Sequence, residues 1–273
     1  MGAIQELRPA AVAGMFYPRE AGELNRCIQA MVADAAKVRI WSGVPKALIV
    51  PHAGYLYSGP VAATAYAALG PLRGRIQRVV VLGPTHHVLV HGLALPGVKT
   101  FETPLGRIQV DEEAVSRIQS LPQVLTSPQA HAPEHSIEVQ LPFLQQALGD
   151  FQLVPLAVGE ATPEEVAQVL ETLWGGPETL IVVSSDLSHY LPYHFAQKVD
   201  HRTCTLIEDL EQLESHEQAC GATPVNGLLL AARHHHLNPH LLDLRNSGDT
   251  AGDHRRVVGY ASFAFTSGEA HDS

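Results

Sequence analysis

The stretch Ala47-Leu48-Ile49-Val50-Pro51-His52-Ala53-Gly54-Tyr55 decides the fold. Four consecutive apolar residues without polar alternation describe a strand buried on both faces. Pro51 then fixes the exit of the chain, and Gly54 allows a close backbone approach, so His52 is delivered at the end of the strand. The same order recurs twice. Val79–Leu82 runs into Gly83-Pro84-Thr85-His86-His87, and Leu180–Val183 runs into Ser184-Ser185-Asp186-Leu187-Ser188-His189.

Around these runs, strand and helix patterns alternate from about residue 46 to residue 205. Helical spacing covers Val61–Leu69, Ser136–Leu148 (with Pro142 marking a start or a kink), Phe195–Leu210 and Val225–His234. Thr162–Trp174 is a further helix, opened by Thr162 as N-cap, Pro163 in the first turn and Glu165 completing a capping box. Leu153–Val158 and the alternating end Val257–Thr266 read as strands, as do Leu93–Leu95 and Ile108–Val110 around a Thr103-Pro104-Leu105-Gly106 turn. This alternation predicts an α/β fold, one domain over residues 1–273 with a mostly parallel central sheet flanked by helices. No repeat or linker divides it, and Gly268–Ser273 reads as a tail.

In a parallel α/β sheet, ligands bind outside the carboxyl ends of the strands. Three strands that each deliver a histidine there can place His52, His86 and His189 in one crevice. A single loop histidine is an ordinary surface residue, so the signal lies in the recurrence. His86 and His87 are neighbours and in extended backbone point to opposite sides, so one of them faces the crevice. Asp186 and His189, three residues apart, share a side if the segment turns; Asp186 as a helix cap is the alternative. In the segment His131–Pro142, Glu134, His135 and Glu138 form either a polar face on the crevice or a solvated helix start favoured by the dipole. The run His234-His235-His236 reads as capping of a helix carboxyl end, without a role in metal binding.

Composition narrows the function classes. The 18 Lys and Arg against 28 Asp and Glu give a net charge of −10, which argues against nucleic-acid binding. No apolar run approaches the roughly 20 residues of a membrane span, and Met1–Ala10 lacks the apolar core of a signal peptide. Three widely spaced cysteines offer no disulfide framework, so a reduced cytoplasmic protein is expected. The 16 histidines are nearly as numerous as Lys and Arg together, which points to ligand or acid–base roles for some. Cys220 stands just before a helix, where the dipole favours a thiolate, a soft ligand for iron, copper or zinc. Cys27 and Cys204 lie within apolar helical patterns as packing residues. Gly/Asp-rich Ser247–Asp253 lacks the spacing of a calcium loop and reads as a lid or pocket wall.

Taken in order, VAGMFYP (Val12–Pro18), PHAGYLYSGPVAATAY (Pro51–Tyr66), LGPTHH (Leu82–His87), TPLG (Thr103–Gly106), EHSIEVQLPFLQ (Glu134–Gln145), VSSDLSHY (Val183–Tyr190), Cys220-Gly221, and SGD with VVGYAS (Ser247–Asp249, Val257–Ser262) resemble the Memo family over nearly the whole chain. That resemblance implies the fold of class III non-haem iron extradiol dioxygenases and a metal trio of His52, His86 and Cys220. It implies Fe(II), with copper or zinc as alternatives. It places Asp186 and His189 in the pocket, His189 in the position of the dioxygenases' acid–base histidine, and makes His135 a motif residue. Eukaryotic members are linked to cell motility, phosphotyrosine-peptide binding and copper or iron handling. Prokaryotic members often accompany a radical S-adenosylmethionine protein and a third small partner.

The departure from the dioxygenases is the thiol. They hold iron by two histidines and a carboxylate, whereas Cys220 favours softer ions. The expected function is therefore a metal-dependent oxidoreductase acting on a small molecule, with His189, Asp186 and His135 as catalytic candidates. Two alternatives remain. One is a non-catalytic metal-handling or peptide-binding module; the other is a zinc hydrolase with His189 or Glu138 as base.

Overall fold

The computed structural model describes residues 6–38, 43–250 and 252–267. In chain order its strands are β1 (Leu7–Arg8), β2 (Pro45–Val50), β3 (Arg78–Pro84), β4 (Leu93–Leu95), β5 (Thr100–Thr103) and β6 (Gly106–Val110). There follow β7 (Val124–Thr126), β8 (Gln152–Val158), β9 (Thr179–Ser184), β10 (His189–Leu191), β11 (Leu237–Asn246) and β12 (Val257–Ser267). The helices are α1 (Ala21–Val38), α2 (Tyr55–Ala67), α3 (Glu112–Ile118), α4 (Pro128–His131), α5 (Leu141–Leu148), α6 (Pro163–Leu173), α7 (Tyr193–Glu208), α8 (Ala222–His234) and α9 (Ser247–Thr250). None of them is long and apolar enough to cross a membrane. The tail expected at Gly268–Ser273 lies outside the described residues.

The strands form one sheet in the order β1-β5-β6-β8-β3-β9-β2-β12-β10, with β11 added on β12 and β4 joining β7 to β8. Its centre, β6-β8-β3-β9-β2, is parallel throughout. Antiparallel β12 and β11 extend it beyond β2. The central strands divide their side chains between two cores. Leu48, Val50, Val79, Val81, Leu180 and Val182 pack with Leu24 and Ile28 of α1, Tyr66 of α2 and Phe143 of α5. Ile49, Val80, Leu82, Ile181 and Val183 pack on the other face with Val166 and Leu170 of α6, Ile207 of α7 and Leu228 of α8. Burying each such side chain contributes roughly 1.5–3 kcal/mol, so the unbroken apolar runs read in the sequence are the two-sided anchor of the fold.

Several helix boundaries follow from local chemistry. At α6 the capping box is present, Glu165 N–H donating to Thr162 Oγ1 at 3.2 Å and Thr162 N–H to Glu165 Oε2 at 2.8 Å. The expected helix Ser136–Leu148 begins only at Leu141, after a 3-10 turn at Glu138–Gln140, because Pro142 is at home in a first turn. Helix α2 starts at Tyr55 rather than Val61. The turn Thr103–Gly106 joins β5 to β6 and leaves β4 elsewhere in the sheet. Two long elements lie outside the expectation. In α1, whose bounds the apolar pattern around Cys27 did not give, Leu24 and Ile28 are buried in the first core with Cys27, Met31, Val32 and Ala35 packed against it. In β11, Asp243, Arg245 and Pro239 interrupt any apolar run.

The loop after β9 is pinned from behind. Leu187 N–H donates to the Gly259 carbonyl and Gly259 N–H to the Ser188 carbonyl, both at 2.8 Å, while Ser188 N–H reaches Asp200 Oδ1 at 3.0 Å. A Cβ on Gly259 would stand 2.1 Å from Asp200 Oδ2, so only glycine permits this approach. Gly259→Ala is expected to destabilise the fold by about 1–3 kcal/mol in urea unfolding. Burial raises the Asp200 carboxyl to about 6, against about 3.9 in an unfolded chain. The folded state therefore holds an extra proton between those values, and that stabilisation, complete below about pH 4, is lost as pH rises through about 6. Asp200→Asn, which keeps an acceptor for Ser188, is expected to gain stability relative to wild type over that window, as read by unfolding at stepped pH.

Candidate metal centre

Three of the central strands, β2, β3 and β9, end by bringing a polar side chain to the same place. His52 leaves β2 and is buried, with its backbone N–H donating to Asp186 Oδ1 at 2.7 Å. Its ring Nδ1 lies 2.9 Å from Ser184 Oγ, the last residue of β9. That hydroxyl donates its one proton to the Ser136 carbonyl at 2.6 Å and receives Gln140 Nε2 at 2.7 Å. Ser184 can therefore only accept from His52, which puts the imidazole proton on Nδ1 and the lone pair on Nε2. His52 Nε2 is 3.3 Å from Cys220 Sγ.

His86 leaves β3 and is oriented by a carboxylate. Glu134 accepts from His86 N–H at 2.6 Å and lies 2.9 Å from His86 Nδ1, and it also accepts the N–H groups of His135 and Ser136 at 2.9 and 3.0 Å. Burial alone would raise this carboxyl, but those bonds outweigh it and hold it well below the usual range. A permanent carboxylate on Nδ1–H leaves His86 Nε2 as the second free donor, the arrangement that orients metal-binding histidines in general.

Cys220 completes the group from the segment before α8. Its N–H donates to the Asp186 carbonyl at 3.2 Å, and the next residue's N–H donates to Ser185 Oγ at 2.9 Å. Gly221 makes this possible, since a Cβ there would lie 2.7 Å from Ser185 Cβ. One ligand atom from each of His52, His86 and Cys220 lies within 4.8 Å of the others. Two imidazoles and a thiol suit zinc, copper or iron, so the donor set fits a single borderline or soft ion. Burial, then its imidazole neighbours, keep His52 well below its usual pKa and so ready as a neutral donor. The helix dipole does not deliver the expected thiolate. Burial, and next the Asp186 carboxylate, push the free Cys220 thiol up to about 12, so an incoming ion must displace its proton.

The remaining sequence candidates divide. His135 belongs to the site: its ring stacks on His86 at 4.7 Å, stands edge-on to His52 at 5.4 Å and rests on Phe16 at 4.6 Å. Burial lowers it to about 4. Asp186 also belongs, but its carboxyl, raised by burial to about 7, holds the backbone of the His52 turn. It does not orient His189 as expected. His189 Nδ1 donates to the Leu187 carbonyl at 2.8 Å, which leaves the lone pair on Nε2. His189 lines a cavity of about 940 Å³ together with His86, Cys220, Tyr190, Phe195 and Arg202. Burial lowers its pKa, which keeps it a base.

Other candidates do not reach the crevice. His131 is buried elsewhere, its Nε2 on the Ala94 carbonyl at 2.7 Å. Glu138 is fully occupied by Arg8 Nη1 and Tyr17 Oη at 2.6 Å each and by the N–H groups of Ala11 and Val12 at 2.8 and 3.0 Å. It is not available as a base, which removes one version of the hydrolase alternative. His87 is exposed beside His135. The described part of the Ser247–Asp253 loop is not a wall of this cavity: Asp249 is held by Tyr193 Oη at 2.5 Å and Asn246 N–H at 2.8 Å. Ser184 and Gln140, which fix His52, carried no sequence signal beyond their polarity.

A parallel sheet whose strand exits bring two imidazoles and a thiol to the edge of a cavity defines an α/β protein with a metal-capable pocket. The family model described as Memo-like protein matches residues 8–264. The chain belongs to this family. A MEMO1 family protein of Ignicoccus hospitalis is 36% identical over 95% of this chain and 98% of its own. One from Aquifex aeolicus is 35% identical over 95% of this chain and 99% of its own. The crystal structure of an uncharacterized Escherichia coli K12 protein shares the fold at a TM-score of 0.50 and 16% identity, over 78% of this chain and 98% of that one.

The Glu134 carboxylate behind His86 gives the test of this geometry. Glu134→Gln turns an amide N–H toward at least one of the donors it now accepts. It is expected to lower metal affinity by about 10–100-fold while circular dichroism stays that of the folded protein. Unchanged affinity would remove His86 from the ligand set.

Proposed function

We propose that this protein is a metal-dependent oxidoreductase that binds one ion through His52, His86 and Cys220 and acts on a small molecule in the adjoining cavity. The observation that carries the reading is the convergence of those three ligand atoms within 4.8 Å beside an open cavity. Fe(II) is the ion proposed first, with copper or zinc behind it. When bound, Fe(II) supplies a Lewis acid and a one-electron couple next to the substrate. The protein's own part is positional. His189, neutral and with its lone pair on Nε2, takes a proton from a substrate hydroxyl at the cavity wall. Tyr190 and Phe195 offer flat apolar surface to the substrate. Asp186 holds the His52 turn, and His135 closes the side of the site.

Anaerobic titration of wild type, Cys220→Ser and Cys220→Asp with Fe(II) and Cu(I) tests the ligand set. Serine is a poor neutral ligand, so affinity is expected to fall at least about tenfold, roughly 1.4 kcal/mol. Aspartate restores a carboxylate and is expected to recover Fe(II) binding better than serine. Equal affinity in all three makes Cys220 a bystander. Dioxygen uptake by the iron-loaded protein with a panel of catechols tests the chemistry, and His189→Ala is expected to lower turnover by about 10²–10⁴-fold with metal affinity intact. The thiol in place of a carboxylate favours a second reading, a metal-handling module. Tight Cu(I) binding with no dioxygen uptake on any catechol would replace the first reading by that one.

A further inference from the structure

We propose that the protein carries a second divalent-metal site, of the zinc type, formed by Glu171, His234 and His235 at the opposite edge of the sheet. The two oxygens of the Glu171 carboxylate are taken separately, Oε1 by His234 Nδ1 and Oε2 by His235 Nε2, each at 2.9 Å. One ligand atom from each of the three residues lies within 4.8 Å of the others. Glu171 stands near the carboxyl end of α6, and the histidines end α8. The site is thus separated from Gly221, at the other end of α8, by a 13-residue helix, about 20 Å at 1.5 Å per residue.

The end of α8 gathers three possible ligands at one point. Two consecutive histidines turn different ring nitrogens, Nδ1 and Nε2, onto one carboxylate. The His235 ring is held in place by stacking on Trp174 at 3.8 Å and 7°. Trp174 is held in turn, because Lys46 Nζ donates to its carbonyl at 2.6 Å and lies 5.3 Å from its ring centroid. Ligands bonded to a tetrahedral ion at about 2.0–2.1 Å stand roughly 3.3 Å apart. The two 2.9 Å spacings open by a few tenths of an ångström to admit one, while the third, between the two ring nitrogens, is within 4.8 Å and must approach the same value. Two imidazoles and one carboxylate are the donor set of zinc, with cobalt and nickel as close substitutes. The side chain of His234 is 71% exposed, so the ion has access from solvent and room for a water ligand. As a plain surface ion pair the same contact would contribute little to stability, since exposed pairs are worth about 0–1 kcal/mol. The place read from the sequence holds, His234 in the last turn of α8 and His235 at its C-cap, and the metal role is proposed in addition to it.

The site is tested on full-length protein without a histidine tag, by zinc competition against a chromophoric chelator and by cobalt(II) absorption. Wild type is expected to bind a second equivalent that the His234→Ala/His235→Ala double variant loses or binds at least tenfold more weakly. Glu171→Gln, which keeps the shape of the side chain, is expected to do the same. The cobalt–thiolate charge-transfer band reports the Cys220 centre separately. It is expected to persist in both variants, and Cys220→Ser is expected to lose the band while keeping the second equivalent. If wild type shows no thiolate band but its zinc binding still depends on His234 and His235, the first centre fails and this one stands. Equal zinc stoichiometry and less than a tenfold change in affinity across wild type, the double variant and Glu171→Gln overturn the proposal.

Discussion

Four neighbouring parallel strands, β8-β3-β9-β2, that are dry on both faces leave polar side chains only one place to stand, the ends of the strands. A donor nitrogen or thiol placed within such a sheet would face two apolar cores and lose its hydrogen bonds. At the carboxyl edge the turns bring their own N–H and carbonyl groups, and side chains can be paired there. The functional residues therefore crowd that edge as a consequence of how the sheet is buried. His52 after β2, His86 after β3 and Asp186 after β9 are three instances of the same constraint.

What turns this crowd into a site is the order of its hydrogen bonds. Each ring nitrogen that faces the protein has a fixed acceptor: Ser184 for His52, Glu134 for His86, the Leu187 carbonyl for His189. Tautomers follow from those acceptors, and with them the side on which each imidazole offers its lone pair. Cys220 is placed differently. Its position comes from backbone packing, with Gly221 seated against Ser185 where no methyl group fits. The two ligand imidazoles are aimed by side chains, and His189 and the sulfur by the main chain.

The strands, their exits and the place of His52, His86 and His189 in one neighbourhood were legible because apolar runs and turn residues are local signals, whereas Cys220 was joined to them by the family resemblance. The role of Glu134 was not, since a carboxylate that orients a ring 48 positions away has the same local appearance as one that favours a helix start. Glu138 misled for the same reason. Its spacing from Glu134 suggested a shared helical face, but Pro142 delays the helix, and partners at the far amino end of the chain take both oxygens. Strand β11 escaped because Pro239, Asp243 and Arg245 break its apolar run, and α1 was read only as an apolar helical pattern around Cys27, without bounds.

The clamp on Glu138 joins residues synthesised far apart. Arg8 and Glu138 are separated by 130 positions. At roughly 5–20 residues per second, the guanidinium waits about 6–26 s after its own synthesis before its carboxylate exists. Val12 and Tyr17 wait on the same side chain. This early segment is thus late to settle, and Phe16, which backs His135, settles with it. The ring of His135 gains its backing only when a segment made more than a hundred residues earlier has found its carboxylate.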